Sequence, residues 1–299
     1  MSETASTRDW LSIFVLGLVW GASFMLMSIG LEGYGPVTVA TARTVLAAAV
    51  LLIAMPMTGC AMPKPAPGLW PMLIVIGLLS TAVPFLLLSW GMQHVPSVFG
   101  GLSMATIPLM VLVLAHFASD EKMIARRAAG VALGFGGALV LIGPDLANIG
   151  NSNAPLGQLA CIAAAFCYAL SSILVRRCPP IDALGMSALT LAVGAVALIP
   201  IMLWLEGVPN WAGMRPGLAI LTLGLVQTAA MTLLRIQVIQ SAGSVFMTLV
   251  NYQVPIWAMI YGAWLLNEDL PWQFFVALVM ILGGLALGQW RSLIALLRR

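Results

Sequence analysis

Residues 97–137 read SVFGGLSMATIPLMVLVLAHFASDEKMIARRAAGVALGFGG, and residues 244–284 read SVFMTLVNYQVPIWAMIYGAWLLNEDLPWQFFVALVMILGG. The two stretches align without a gap at an offset of 147 residues. Ser97, Val98 and Phe99 fall on Ser244, Val245 and Phe246, and Leu102 falls on Leu249. Pro108 falls on Pro255, Glu121 on Glu268, and Gly136 and Gly137 on Gly283 and Gly284. Apolar text matches itself easily, so the aliphatic identities decide little. A proline inside an apolar run and a lone glutamate at its end are rare there, and both recur at one offset. The chain reads as an internal duplication, with the expected units at residues 1–147 and 148–299.

The composition says where these units live. Of 299 residues, 61% are hydrophobic and 8% are charged, and the mean hydropathy is +1.04. A soluble domain carries roughly 25% charged residues, so this chain cannot coat a water-facing globule. Disorder is excluded as well, because it requires low hydrophobicity and high charge. Ten apolar runs of about membrane length are expected, at residues 10–29, 37–57, 69–93, 97–117, 125–142, 156–175, 183–205, 218–239, 244–266 and 272–290. They do not alternate polar and apolar residues as barrel strands do. Helices satisfy their own backbone groups in lipid. The expected fold is therefore an all-α integral membrane protein of ten transmembrane helices. The first run lacks a small-residue cleavage site and continues too far for a signal peptide. A Gly-, Asn- and Pro-rich connector at residues 143–155 reads as the linker between halves.

Basic residues set the orientation. With the N-terminus in the cytoplasm, cytoplasmic segments hold Arg8, Lys64, Lys122, Arg126, Arg127, Arg176, Arg177, Arg291, Arg298 and Arg299, and external segments hold only Arg215. Arg43 and Arg235 lie inside spans. Adding or removing one span would destroy this bias. Both termini are then cytoplasmic. Each half has five spans, an odd number, so the second half enters the membrane inverted. Inverted repeats of this kind hold substrate near the midplane between them.

The motifs now carry a family resemblance. Trp20-Gly21-Ala22-Ser23-Phe24 resembles the opening motif of the drug/metabolite transporter superfamily. Gly35-Pro36 followed by Arg43 resembles its next signature, and the twice-present Ser-Val-Phe, Pro, Glu and Gly-Gly pattern resembles the end of the EamA repeat. Within that family the sequence is most similar to bacterial amino-acid exporters, those for aromatic amino acids in particular. The second repeat departs from the opening motif, with Tyr168-Ala169-Leu170-Ser171-Ser172 in its place. Arg43 has no counterpart, since offsets of 147 and 148 land on Thr190 and Leu191. The resemblance implies a multi-pass transporter of the bacterial inner membrane that exports small metabolites, amino acids first. Other metabolites or drugs, and nucleotide sugars or phosphorylated sugars, are the substrates of related carriers.

The residues themselves narrow the chemistry. Every acidic residue falls in a terminus, a connector or a span end. A carboxylate proton relay of the intramembrane kind is therefore not expected. Phosphate needs strong cationic partners, and no lysine lies within a span. The four cysteines have no metal-ligand spacing, and no phosphate loop or nucleophile triad is visible. No enzyme activity, cofactor, metal or nucleic-acid partner is expected. The expected partners are a small-molecule substrate and the lipid bilayer, with a monomer or a homodimer left open.

Polar and aromatic side chains in mid-span are the candidate substrate-binding set: Trp20, Ser23, Phe24, Ser80, Trp90, Tyr168, Ser171, Gln227, Asn251 and Tyr252. Trp20, Ser23 and Phe24 share a helical face, and Tyr168, Ser171 and Ser172 repeat that spacing. Each of these residues also has a plain packing role open to it. Pro108 and Pro255 each remove an intrahelical hydrogen bond and are the expected bending points. Arg43 admits two readings, attraction of a substrate carboxylate or a clamp between helices. Arg235 can snorkel to the near surface. The glycine pairs mark the fifth and tenth spans as a closely packed scaffold pair.

The topology is tested with reporters. A phosphatase active only outside the cytoplasm, inserted after Gly207, is expected to be active. A fluorescent protein that matures only inside, fused after Arg299, is expected to fluoresce. The opposite pattern would overturn the orientation.

Overall fold

The computed structural model describes residues 6–64, 66–118, 123–146, 152–290 and 294. The first helix, Thr7–Leu31, starts at a capping box in which Ser6 and Asp9 bond each other's backbone N–H. The second, Pro36–Met57, opens with proline, which lacks the N–H a helix start leaves unpaired. The third spans Leu69–Gly91 and the fourth Ser97–Phe117. The fifth is Ala125–Leu146, the sixth Ala154–Arg177 and the seventh Ala183–Leu205. The eighth is Met214–Ala242. The ninth is divided into Ser244–Met247 and Val250–Leu265, and the tenth is Trp272–Gly288. Glu121, part of the linker (residues 147–151) and the terminal Arg291, Arg298 and Arg299 lie outside the described residues.

The ten expected spans are thus all helical, but not all continuous. Eight are long and apolar enough to cross a membrane by themselves. The ninth falls short because it breaks at Thr248 and Leu249, six residues before Pro255. The fourth opens at Ala105 and Thr106, just before Pro108. The tenth counts 17 residues. Around the bundle, Trp204, Trp264, Val196 and Val279 are each more than two-thirds exposed, the apolar exterior that lipid requires.

The halves are inverted, and the packing shows it directly. The second and seventh helices lie side by side and run antiparallel. Glu206 at the end of the seventh accepts hydrogen bonds from Val37 N (2.9 Å) and Thr38 N (2.7 Å) at the start of the second. Midway, Thr41 Oγ1 reaches the Leu198 carbonyl at 3.5 Å. At the other end the Cys60 thiol donates to Asp182 Oδ1 at 3.2 Å. The fifth and tenth helices also pair antiparallel, with Gly130 against Gly284 and Gly288, and Gly137 against Ala277 and Ile281. Each helix here packs on its own repeat mate, head to tail.

The same offset of 147 organises the contacts between helices. A Cβ on Gly77 would stand 2.9 Å from the Thr190 carbonyl oxygen and 2.8 Å from Val193 Cβ. A Cβ on Gly224 would stand 3.3 Å from the Arg43 carbonyl oxygen and 2.6 Å from Leu46 Cβ. Gly77 and Gly224, Thr190 and Arg43, and Val193 and Leu46 are all related by the offset. Helices in lipid gain nothing from hydrophobicity alone, so backbones that approach closely supply the attraction.

Carboxylates finish the helix ends. Glu268 accepts from Ser97 N at 2.6 Å and Val98 N at 3.1 Å, capping the fourth helix from the end of the ninth. Asn267, in the left-handed region at φ 53°, turns the chain back so that Glu268 can reach. Asp182 caps the seventh helix itself, taking Leu184 N and Gly185 N. Its carboxyl is held below its ordinary value, first by the Cys60 thiol and then by those two N–H groups. The largest core cluster is built around Phe24, Phe99, Leu102, Leu109 and Leu285 and joins both repeats.

The glycine contacts give a paired test. A Cβ at Gly284 would lie 2.4 Å from the Gly130 carbonyl oxygen, whereas at neighbouring Gly283 it meets only Leu133 Cδ2 at 3.6 Å. Gly284→Ala is expected to destabilise the detergent-solubilised protein by about 1–3 kcal/mol, the usual range for overpacking. Gly283→Ala is expected to leave the unfolding midpoint almost unchanged. Equal effects would refute the backbone contact.

Candidate functional site

Two π-helical segments mark the middle of the bundle. The third helix widens over Leu78–Ala82 and the eighth over Leu223–Ala230. Single π turns inside α-helices concentrate at functional sites. The offset of 147 carries Ser80 onto Gln227 and Thr81 onto Thr228, so each repeat opens at the same place. Thr228 Oγ1 donates to the Leu223 carbonyl five residues back at 2.8 Å, filling the gap the π turn leaves. Thr81 Oγ1 lies 2.6 Å from the Gly77 carbonyl and 3.3 Å from the Thr190 carbonyl.

Gln227 is the hub. Its carbonyl oxygen accepts Trp20 Nε1–H at 3.1 Å, and its side-chain Oε1 accepts Ser23 Oγ–H at 2.7 Å. Ser23 and Gln227 are both buried. A buried amide with this much satisfied chemistry fixes the rotation of the first helix against the eighth. Next in the chain, Thr228 Oγ1 accepts Arg43 Nε–H at 2.8 Å. The Arg43 guanidinium lies 4.1 Å from the Phe85 ring centre, within cation–π range. Phe85 in turn meets the Tyr168 ring edge-on at 6.5 Å. The first, second, third, sixth and eighth helices therefore contribute to one polar and aromatic cluster.

The other candidate residues are distributed around it. Phe24 turns from Trp20 and Ser23 into the core, where its ring packs on Gly100 and Gly101 of the fourth helix. Ser80 is half-buried on the π turn of the third helix. Ser171 and Ser172 both donate to the Tyr168 carbonyl within their own helix, at 2.9 Å. Asn251 is half-buried, and Tyr252 packs its ring on the main core. The Tyr252 hydroxyl is enclosed with no hydrogen-bond partner. Gln253 faces Gly17 of the first helix. Trp90 stands apart, 37% exposed, with its ring edge-on to His94 at 4.9 Å. Trp20, Ser23, Gln227 and, through Thr228, Arg43 form the connected group.

Sequence reasoning left Arg43 between two roles and did not place Phe85 or Thr228 beside it. The signal was present in part, since the offset carries Thr228 onto Thr81, and a threonine repeated in mid-span is unusual. Arg235 is exposed on the eighth helix. Among the described residues, no carboxylate forms an ion pair with Arg43 or Arg235.

The hub gives a double-mutant test. Ser23→Ala leaves Gln227 Oε1 buried without a donor, which costs about 1–3 kcal/mol. Gln227→Leu removes the amide but keeps the Trp20 bond, which goes to the backbone. The effects of the two substitutions on thermal stability are expected to be non-additive, the second adding little to the first. Strict additivity would contradict the bond.

Residues 10–143 and 155–288 each match the EamA-like transporter family. The uncharacterized transporter YoaV of Bacillus subtilis (strain 168) is 25% identical over 278 residues, covering 92% of this chain and 94% of that one. A probable terminal-alkyne amino-acid exporter of Streptantibioticus cattleyicolor is 32% identical over 124 residues, 42% of this chain and 41% of its own. A crystal structure shares the fold with a TM-score of 0.67 at 19% identity, covering 96% of this chain and 98% of that one. Both halves match the family, the repeats pack as inverted mates and the polar cluster lies between them; the chain is a multi-pass membrane protein of the EamA-like transporter family and not an enzyme.

Proposed function

We propose that this protein exports amino acids, aromatic or large apolar ones first, across the bacterial inner membrane by alternating access. The observation that carries the reading is the cluster around Gln227. It joins indole, phenol and phenyl rings to amide, hydroxyl and guanidinium groups at the π segments of both repeats. Rings of this kind cover an apolar side chain, and hydrogen-bonding groups hold a zwitterion's polar end. The similarity to a probable amino-acid exporter supports the same class of substrate, as does the resemblance to the aromatic amino-acid exporter YddG. Trp20, Ser23, Phe24, Ser80, Trp90, Tyr168, Ser171, Gln227, Asn251 and Tyr252 are the proposed substrate-contacting set. The units 1–147 and 148–299 rock about this site, bending near Pro108 and Pro255, with both termini in the cytoplasm.

The experiment is counterflow in proteoliposomes. Vesicles preloaded with unlabelled L-phenylalanine are expected to accumulate external labelled L-phenylalanine transiently and saturably. Trp20→Ala is expected to reduce the initial rate at least about tenfold, the scale of losing one well-packed aromatic anchor. Movement of phosphorylated sugars with no movement of any amino acid would overturn the reading. Unsaturable flux would indicate a pore in place of a carrier.

A further inference from the structure

Arg43 is a charge buried without an anion. It is 9% exposed, and its Nε is spent on Thr228 Oγ1. Among the described residues, no hydrogen bond or ion pair is formed at Nη1 or Nη2. One face of the guanidinium is covered by the Phe85 ring at 4.1 Å. Thr228 gives its own hydrogen to the Leu223 carbonyl, so its oxygen is free to accept and fixes the direction of Arg43. The edge left over is the Nη1–Nη2 fork, the edge that grips a carboxylate with two parallel hydrogen bonds.

The two-fold design separates a ligand role from a structural one. The offset of 147 carries Arg43 onto Thr190 and Thr228 onto Thr81. At that mirrored joint, Thr81 Oγ1 approaches the Thr190 carbonyl at 3.3 Å, and Thr190 Oγ1 turns back onto Met186 O at 2.8 Å. The helices also approach closely at both joints, at Gly77 as at Gly224. The same joint is therefore closed in one repeat without any charge. Packing does not require a cation at this position, and a buried cation with no counter-ion is expensive in lipid.

We propose that Arg43 is the carboxylate anchor of the substrate, gripping it through Nη1 and Nη2 between the π segments of the third and eighth helices. The inference deepens the amino-acid reading and rests on it for the ring that fills the aromatic part of the cluster. One repeat has the arginine and the other does not, so the substrate binds in a single orientation. Its carboxylate lies at the second and eighth helices. Its side chain lies towards Phe85 and Tyr168. A decarboxylated amine of the same shape lacks the group that neutralises Arg43.

The experiment measures binding to the purified full-length protein by ligand-induced shift of thermal unfolding. The probes are L-phenylalanine, phenylacetate and 2-phenylethylamine, which carry both charges, the carboxylate alone and the ammonium alone. In the wild type, the two carboxylates are expected to bind at least about tenfold more tightly than the amine. Arg43→Gln is expected to lose at least about tenfold for both carboxylates and nothing for the amine, and Arg43→Lys to recover part of the loss. The wild-type arm stands even where a variant folds poorly. The proposal is overturned if the amine binds wild type as well as L-phenylalanine does. It is also overturned if neither carboxylate binds, or if Arg43→Gln binds both unchanged. Carboxylate binding that depends on Arg43, together with no amino-acid flux in liposomes, sinks the export reading and leaves the anchor. Amino-acid flux with unchanged binding in Arg43→Gln does the reverse.

Discussion

Backbone lying directly against backbone holds the two repeats of this protein together. At Gly130 and Gly284, where the fifth and tenth helices run antiparallel, a carbonyl of one helix occupies the space where a side chain would begin on the next. Gly77 and Gly224 let the third helix approach the seventh and the eighth approach the second, each pair running parallel. Lipid offers no hydrophobic reward for bringing two apolar helices together, so the attraction comes from close packing. Close packing along a whole helix pair needs small residues at matched depths. The head-to-tail arrangement supplies them twice from one duplicated pattern. Once the second helix is fixed on the seventh and the fifth on the tenth, the remaining helices meet across the axis between the repeats. The site is there because the halves meet there.

The site also shows where the symmetry is kept and where it is abandoned. Both repeats open a π turn at the same register, and both place a threonine on it. The residue facing that threonine differs. In one repeat it is Thr190, which satisfies itself within its helix, and in the other it is Arg43, which does not. The first helix is likewise tied to the eighth through Ser23 and Trp20, while Ser171 of the sixth spends its hydroxyl within its own helix. A scaffold needs the symmetry. A substrate with two unlike ends needs it broken.

Much of this was legible in the chain. Low charge set the medium, basic residues set an expected orientation, and one offset aligned the halves. That offset later described contacts between glycines and carbonyls that no sequence displays. The depth of the polar side chains was readable too, because Ser23 and Gln227 stand in mid-span. Three features were not. A π turn has no residue signature, since it depends on one extra residue being accommodated by neighbours. The ninth helix breaks at Thr248 and Leu249, and Pro255 stands inside the helix that follows. Glu268 was conspicuous by recurrence, yet its use as a cap on the fourth helix depends on the turn at Asn267 and on Gly262 leaving room. For Arg43, residue and depth were readable but partners were not, and the partners separate a clamp from an anchor.

The most direct measurement of the account is a structure of the protein with L-phenylalanine bound. The ligand is expected between the π segments of the third and eighth helices. Its carboxylate should lie within hydrogen-bond distance of Arg43 Nη1 and Nη2, and its ring against Phe85 and Tyr168. Ligand density elsewhere, or at this place with the carboxylate turned away from Arg43, would contradict it.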